Sequence, residues 1–334
     1  MHEVSIEPIC RYSFDTQKVV TDYPPHLHNA NKKLVYSIAC PTGCTHNGRM
    51  VFSHWRSMPL PQSFSAASYP TEIEAREDLF GYEPTSEGSG IVEWYLNFAD
   101  PDPFCAYGGP LLAQDEMQVA EHPALGSLRE ALLDSNIALW TEQEGEPTPV
   151  LIMGVERCCA IATEPNASQG RPQGLYGNNF ARASAEAIER ATTPIRPPTI
   201  TNIIAMAAPS GGSGIYSLEQ IDFILRTAFT GFSAARIESS RTLTQPPFMV
   251  VHTGFWGCGA FGGNRILMAL LQLLAAHLAR VDRLVFHHLI DHNAFSDALR
   301  IFKDLTSGGE QLQIAKLLTG VHAMGFQWGF SNGT

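Results

Sequence analysis

Thr253-Gly-Phe-Trp-Gly-Cys-Gly-Ala-Phe-Gly-Gly-Asn264 stands between two apolar runs, Phe248–His252 and Ile266–Arg280. The first run reads as a short buried strand. The second reads as a helix that Asn264 can cap and that a basic residue closes. Five glycines fall within ten residues of the loop, more than a structural turn alone needs, and each costs backbone entropy. Between a strand and a helix N-terminus, such a loop can wrap backbone N–H groups around a diphosphate. Phe255, Trp256 and Phe261 offer flat apolar walls for a ribose or a base. The spacing is neither the G-x-G-x-x-G dinucleotide fingerprint nor a Walker loop, since no Lys-Ser/Thr follows. A tight turn would also fit this loop taken by itself.

Working outward, Ile91–Phe98, Pro149–Val155, Thr201–Ala207 and Arg283–His288 are further β-branched or aromatic runs bounded by turn residues. Helical stretches separate them. Phe180–Thr192 is rich in Ala and Glu, and Ser217 with Gln220 makes a capping box before Ile221–Ala228. Alternating strands and helices predict an α/β domain around a buried sheet over residues 91–334. Residues 1–90 are rich in Pro, His, Ser and Tyr with little periodicity. They read as a loosely structured N-terminal extension packed on the core, with Lys33–Cys40 and Arg49–His54 as strand candidates.

The 334 residues are 44% hydrophobic and 16% charged, a globular composition long enough for a sizeable core. A net charge of −11 argues against nonspecific nucleic-acid binding, which needs a basic face. It leaves room for an anionic nucleotide whose phosphates meet amides and helix ends. Seven scattered cysteines, an odd number, read as free thiols in a reducing compartment. No run is long enough to span a bilayer and no signal-peptide pattern opens the chain. The expectation is an intracellular, cytoplasmic protein without a membrane; a secreted effector acting in a host cytosol would look the same.

The second chemistry-bearing segment runs from Asn97 to Glu116, Asn-Phe-Ala-Asp-Pro-Asp-Pro-Phe-Cys-Ala-Tyr-Gly-Gly-Pro-Leu-Leu-Ala-Gln-Asp-Glu. It starts at a strand end and finishes with Asp115 and Glu116 opening a helix. With Asp100 and Asp102, four carboxylates lie close in the chain. Glycosidic cleavage needs a proton carrier near the leaving group and negative potential near an oxocarbenium-like carbon, and crowded acids raise one another's pKa. Acids that simply complement a helix dipole would give the same pattern.

Together the two segments resemble the poly(ADP-ribose) glycohydrolases. Asn97-Phe98-Ala99-Asp100 and Gln114-Asp115-Glu116 are similar to that family's D/N-F-A-N and Q-E-E segments, and the glycine-rich loop to its G-x-W-G-C-G-A-F-G-G loop. Weaker similarity covers Val150–Val155, Gly174–Phe180, Ile203–Pro209 and Leu284–Asp291, so the resemblance spans about residues 91–305. It implies a three-layer α/β/α macrodomain with a mixed central sheet. Glu116 then matches the catalytic glutamate that protonates the leaving oxygen and then activates water, and Asp115 the neighbouring acid that holds the ribose. Gln114 precedes that acid, while Asp100 takes the place of an asparagine that contacts the distal ribose. Gly257, Cys258, Gly259, Ala260, Phe261 and Gly262 match the diphosphate and ribose loop. Tyr176 falls near the tyrosine that clasps adenine, and Leu289 stands where a second aromatic is common.

Three departures bear on the substrate. Asp115 is one methylene shorter than glutamate, Phe104-Cys105-Ala106 replaces three glycines, and Asp100 replaces a neutral amide with a charge. An extra carboxylate beside an anionic ligand is costly unless a cation sits between them. In arginine-linked ADP-ribose the leaving guanidinium is that cation. The expected activity is therefore removal of ADP-ribose from mono-ADP-ribosylated arginine on proteins. Asp100, Asp102 and Asp115 would line the guanidinium pocket, and Asn97 is expected among the substrate-binding residues. Ribose–ribose linkages in polymer and a non-catalytic ADP-ribose reader are the alternatives. No cofactor is expected, and no metal either: Cys40-Pro-Thr-Gly-Cys44-Thr-His46 has no second Cys/His pair after it. His26, His28, His287 and His288 read as locally hydrogen-bonded, and Cys258 as a small packed residue without a base partner.

Overall fold

The computed structural model describes residues 6–65, 69–85, 88–242, 245–289, 291–307 and 311–333. The chain enters with β1 (Cys10–Asp15), α1 (Thr16–Asp22), α2 (Ala30–Ala39) and β2 (Arg49–His54). Two short strands, β3 (Ser63–Ser65) and β4 (Glu72–Arg76), lead to β5 (Ile91–Ala99). Next come α3 (Gln114–Glu121), α4 (Ala124–Asp134) and the hairpin β6 (Glu142–Gln143) with β7 (Glu146–Pro147). The long strands β8 (Val150–Ile161) and β9 (Thr192–Ala207) flank α5 (Asn179–Arg182) and α6 (Ala185–Ala191). Helices and strands then alternate through α7 (Leu218–Thr242), β10 (Phe248–Gly254), α8 (Arg265–Leu278), β11 (Arg283–His287) and α9 (His292–Thr306). β12 (Gln311–Gln313), which pairs with β3, and α10 (Ile314–Ala323) follow.

Eight strands form one mixed sheet in the order β1-β2-β8-β9-β5-β10-β11-β4. From β9 to β4 all neighbours are parallel, whereas β1, β2 and β8 are antiparallel to theirs. β5 shows why the sheet is sandwiched. Trp94 and Leu96 enter the core shared with α7, α8 and α9, while Tyr95 and Ala99 enter the core shared with α1, α3 and α4. Period-two alternation with apolar residues on both sides requires helices on both faces. The expected mixed sheet between helical layers is the one observed. Among the described residues, no helix is long and apolar enough to cross a membrane.

Several local readings change. Residues 10–15 and 72–76, within the span read as a loosely structured extension, are β1 and β4 of the main sheet, while the strand expected over Arg49–His54 is β2 of that sheet. β1 and β4 are its two edges; an edge strand such as β1 is largely exposed and shows little hydrophobic alternation. The stretch 33–40, read as a strand, is helical in α2 up to Ala39, with Cys40 as its C-cap. Asn29 accepts hydrogen bonds from the Asn31 and Lys32 amides, and the buried Lys32, Val35 and Ala39 recur at helical spacing. The single helix expected over Phe180–Thr192 is α5 and α6, because Ser184 accepts from Ala187 N and starts a new helix. The capping box holds as read: Ser217 Oγ accepts from Gln220 N and Gln220 Oε1 from Ser217 N. Asn264 caps α8 through Leu267 N. Ile290, inside the similarity stretch 284–291, lies outside the described residues.

β8 extends well past Val155 and carries a buried charge. Arg157 Nε and Nη2 reach Glu121 Oε2 at 3.0 and 2.9 Å, and Glu121 Oε1 accepts from Ile161 N at 2.7 Å. Arg157 also donates to Gly81 O and lies 4.6 Å over the Tyr82 ring. Burial still raises the Glu121 carboxyl above its ordinary value despite that guanidinium. Removing the arginine leaves the carboxylate buried and unpaired. Arg157→Leu is therefore expected to lose about 3–5 kcal/mol in urea unfolding; a loss under about 1 kcal/mol would show that the pair does not hold α3 to β8.

Candidate active site

β9, β5, β10 and β11 are parallel, so the loops leaving their C-terminal ends share one edge of the sheet. From β5 the chain turns to α3 on one face, and from neighbouring β10 it turns to α8 on the other. Adjacent parallel strands whose continuations part in this way open a crevice. Pairing of β5 with β10 stops at Tyr95–His252. Beyond it, Gln114 takes the place of a strand neighbour: Oε1 accepts from Phe98 N at 2.7 Å and Nε2 donates to Leu96 O at 3.0 Å. Both polar ends of Gln114 are thereby committed to backbone, and α3 begins at the crevice.

Asp115 and Glu116 follow in that first helical turn, 7% and 5% exposed. Glu116 Oε2 accepts from Ala113 N at 3.0 Å, closing the helix start. Asp115 Oδ1 accepts from Asn97 Nδ2 at 2.9 Å, and Asn97 itself is fully buried. Burial pushes the Asp115 carboxyl up to about 7, with Glu116 and Asp100 adding in the same direction; the Asn97 hydrogen bond and Lys32 oppose them. Asp100 Oδ1 accepts from Asp102 N. Asp102 is not available as expected: its two oxygens hold Arg129 Nη1 and Nη2 at 2.6 and 2.9 Å. The guanidinium that Asp102 receives is the chain's own.

Lys32 and Arg129 carried no signal in the sequence. Lys32 comes from α2, is buried, and donates from Nζ to Glu116 O at 3.3 Å. Burial lowers its ammonium to about 8, against the pull of Glu116 and Asp115. Near pH 7 it therefore stays largely charged beside the acid pair. Only burial of a lysine in the period of α2 could have marked it.

The glycine-rich loop lies against the end of β9. Gly257 adopts φ +73°, and a Cβ there would stand 2.4 Å from Ala208 Cβ. Trp256 departs from its expected role as an open wall: it is fully buried and donates from Nε1 to Met206 O at 3.0 Å. Phe255 is buried too, edge-on to Phe286. Burial pushes the Cys258 thiol up to about 12, leaving it protonated and packed. Gly259, Ala260 and Phe261 remain partly or fully open, and their amides make no backbone hydrogen bond among the described residues. The C-terminal segment braces the loop, with Gly329 N on Gly262 O and Asn332 N on Gly259 O.

Tyr176 is 40% exposed, while its hydroxyl end sits against the Gln114 backbone. Gly177 and Leu112 exchange backbone hydrogen bonds, which ties this turn to the start of α3. Leu289 is exposed and His287 is bonded to Asp78 at 2.7 Å. A cavity of about 920 Å³ lined by Ile9, Arg56, Trp140, Glu144 and Arg226 lies away from all of these groups.

The raised Asp115 value has a stability consequence. The native chain keeps the proton up to about pH 7, whereas an unfolded aspartate releases it near 3.8. The native state binds more protons across that window, so stability falls as pH rises through it. Asp115→Asn has no charge to bury. Its melting temperature relative to the unaltered protein is expected to rise between about pH 5 and about pH 8; a constant difference would contradict the assignment.

The family described as "Poly (ADP-ribose) glycohydrolase (PARG), Macro domain fold" matches residues 150–295, from β8 into α9. That match includes the glycine-rich loop and leaves out the 97–116 segment. Solved structures overlap the chain more loosely. Poly(ADP-ribose) glycohydrolase from Thermomonospora curvata is 16% identical with a TM-score of 0.43, covering 82% of this chain and 98% of its own. The same enzyme bound to the inhibitor ADP-HPD is 16% identical at 0.44, covering 82% and 99%. Poly(ADP-ribose) glycohydrolase from Deinococcus radiodurans in complex with ADP-ribose is 13% identical at 0.42, covering 88% and 94%. Over residues 150–295 the chain is similar to the poly(ADP-ribose) glycohydrolase macrodomain family.

Proposed function

We propose that the protein is an ADP-ribosyl glycohydrolase that releases ADP-ribose from modified proteins and prefers arginine-linked mono-ADP-ribose. The observation that carries this reading is the buried Asp115–Glu116 pair at the mouth of α3, with Asp100 in the same electrostatic neighbourhood. Burial and the neighbouring carboxylates raise Asp115 to about 7, so a proton carrier stands next to Glu116 in the same helical turn. Glu116 serves at the leaving atom. The bond from the anomeric carbon to nitrogen breaks, and the departing nitrogen takes a proton from the pair. The pair then removes a proton from water, whose oxygen adds to the anomeric carbon. Asp115 borders the ribose, held in place by Asn97, while the amides of Gly259–Phe261 face the diphosphate and Tyr176 offers a ring to the base.

Charge favours a cationic leaving group. Asp102 is already neutralised by Arg129, and Lys32 is the ammonium that answers Asp115 and Glu116. A guanidinium entering beside Asp100 would gain a charge-assisted hydrogen bond. The second reading, hydrolysis of ribose–ribose bonds in polymer, is favoured by the family match over residues 150–295.

The decisive assay offers the purified protein arginine-modified protein and ADP-ribose polymer separately, with released ADP-ribose quantified. Glu116→Gln is expected to lose about a thousandfold in turnover while calorimetry still shows ADP-ribose binding. Retained turnover would remove Glu116 from the chemistry. Asp100→Asn is expected to raise KM about tenfold for the arginine-linked substrate alone. An equal effect on both substrates, or release from polymer only, would sink the arginine preference.

A further inference from the structure

Away from the crevice, at the far end of α2, lies a cluster that the proposed reaction does not use. Cys40 is the residue that ends α2, and Cys44 returns to it through a turn in which Cys44 N donates to Pro41 O at 2.9 Å. The ligand atoms of Cys40, Cys44 and His46 all lie within 4.8 Å of one another. β8 brings two more residues to the same place, since His46, Glu156 and Cys158 form a second group within 4.8 Å. Cys40 is within hydrogen-bonding reach of both His46 and Cys158. We propose that Cys40, Cys44, Cys158 and His46 bind one zinc ion, with Glu156 behind the histidine.

Three features favour zinc over a set of packed thiols. The first is the donor set. Three sulfurs and one imidazole nitrogen are a tetrahedral Cys3His set, whose donor atoms stand about 3.5–3.8 Å apart when metal–ligand bonds are about 2.1–2.3 Å. Cys44 Sγ lies 3.8 Å from His46 Nε2. The second is the orientation of the histidine. His46 Nδ1 is 2.6 Å from Glu156 Oε2, while Glu156 Oε1 accepts from Asn47 N at 2.7 Å. A carboxylate on Nδ1 places the proton there and leaves the Nε2 lone pair facing the sulfurs, the arrangement that orients metal-bound histidines. The third is charge. Three thiolates and one zinc carry a net −1, and the Arg196 guanidinium sits alongside, bonded to Ala39 O at 2.6 Å and Cys158 O at 3.1 Å. His46, Glu156, Cys40 and Cys158 are all buried, so the donor set is shielded from water.

The ion would also reach the crevice by mechanical means. Cys40 and Lys32 are eight residues apart on α2, about 12 Å along the helix axis. Fixing the C-terminal end of α2 to β8 holds the end that presents Lys32 to Glu116.

The test uses the full chain without a histidine tag, expressed in zinc-supplemented medium and analysed for metal by mass spectrometry. One zinc per chain is expected, and cobalt exchanged into the protein should show the intense visible bands of a tetrahedral sulfur-rich site. Cys44→Ala and Cys158→Ala should each lose the stoichiometric metal. Glu156→Gln should keep it but release it to a chelator at about ten- to a hundredfold lower chelator concentration. Metal-free protein whose thiols all react with a thiol reagent would overturn the proposal, as would a Cys40–Cys158 disulfide in non-reducing peptide maps. Full zinc in Cys158→Ala would overturn this ligand set. The unaltered protein decides the first question, so a variant that fails to fold leaves the test intact.

Discussion

Two hydrogen bonds from one side-chain amide determine where the acids of this protein can stand. β5 and β10 separate after Tyr95 and His252, and a parting of two parallel strands leaves backbone groups without neighbours. Gln114 fills the gap at Phe98 N and Leu96 O. Because Gln114 is also the first residue of α3, the same contacts that satisfy the strand aim the helix start, and Asp115 and Glu116 follow by covalent geometry. Crevice and acids therefore have a common origin in the splay of the sheet.

Burial does the rest. It raises Asp115 well above the ordinary carboxylate range, Glu116 and Asp100 add to that shift, and the ammonium from α2 opposes it. The glycine-rich loop contributes without charge, through the open amides of Gly259–Phe261, and its aromatic members mainly fill the core.

Much of this was legible in the sequence, and the exceptions have identifiable causes. β5, β10 and β11 announce themselves because strands buried on both faces are continuous apolar runs, and caps at Ser217 and Asn264 mark their helices locally. The far halves of β8 and β9 do not, since Glu156, Arg157, Pro194, Pro197 and Pro198 interrupt the pattern; contacts of Arg157 with Glu121 and of Glu156 with His46 make the charges tolerable there. Phe104, standing where the resemblance places a glycine, takes the left-handed backbone at φ 64°, yet is buried. That conformation costs a non-glycine residue about 1–2 kcal/mol and cannot be read from its name. Lys32, Arg129 and Cys158 were invisible for one reason: each acts through a partner distant in the chain, and composition near them carries no trace of it.

The two outermost strands, β1 and β4, both come from the first ninety residues, and so bracket the later strands like bookends. A shortened version beginning at β5 would bare the flanks of β8 and β11, two ribbons rich in unmet amides and carbonyls, and such flanks recruit other chains. It would also lack the ammonium that tempers the acid pair. The opening segment thus covers edges that would otherwise invite self-association, and the matched region on its own would make a poor stand-in for the whole.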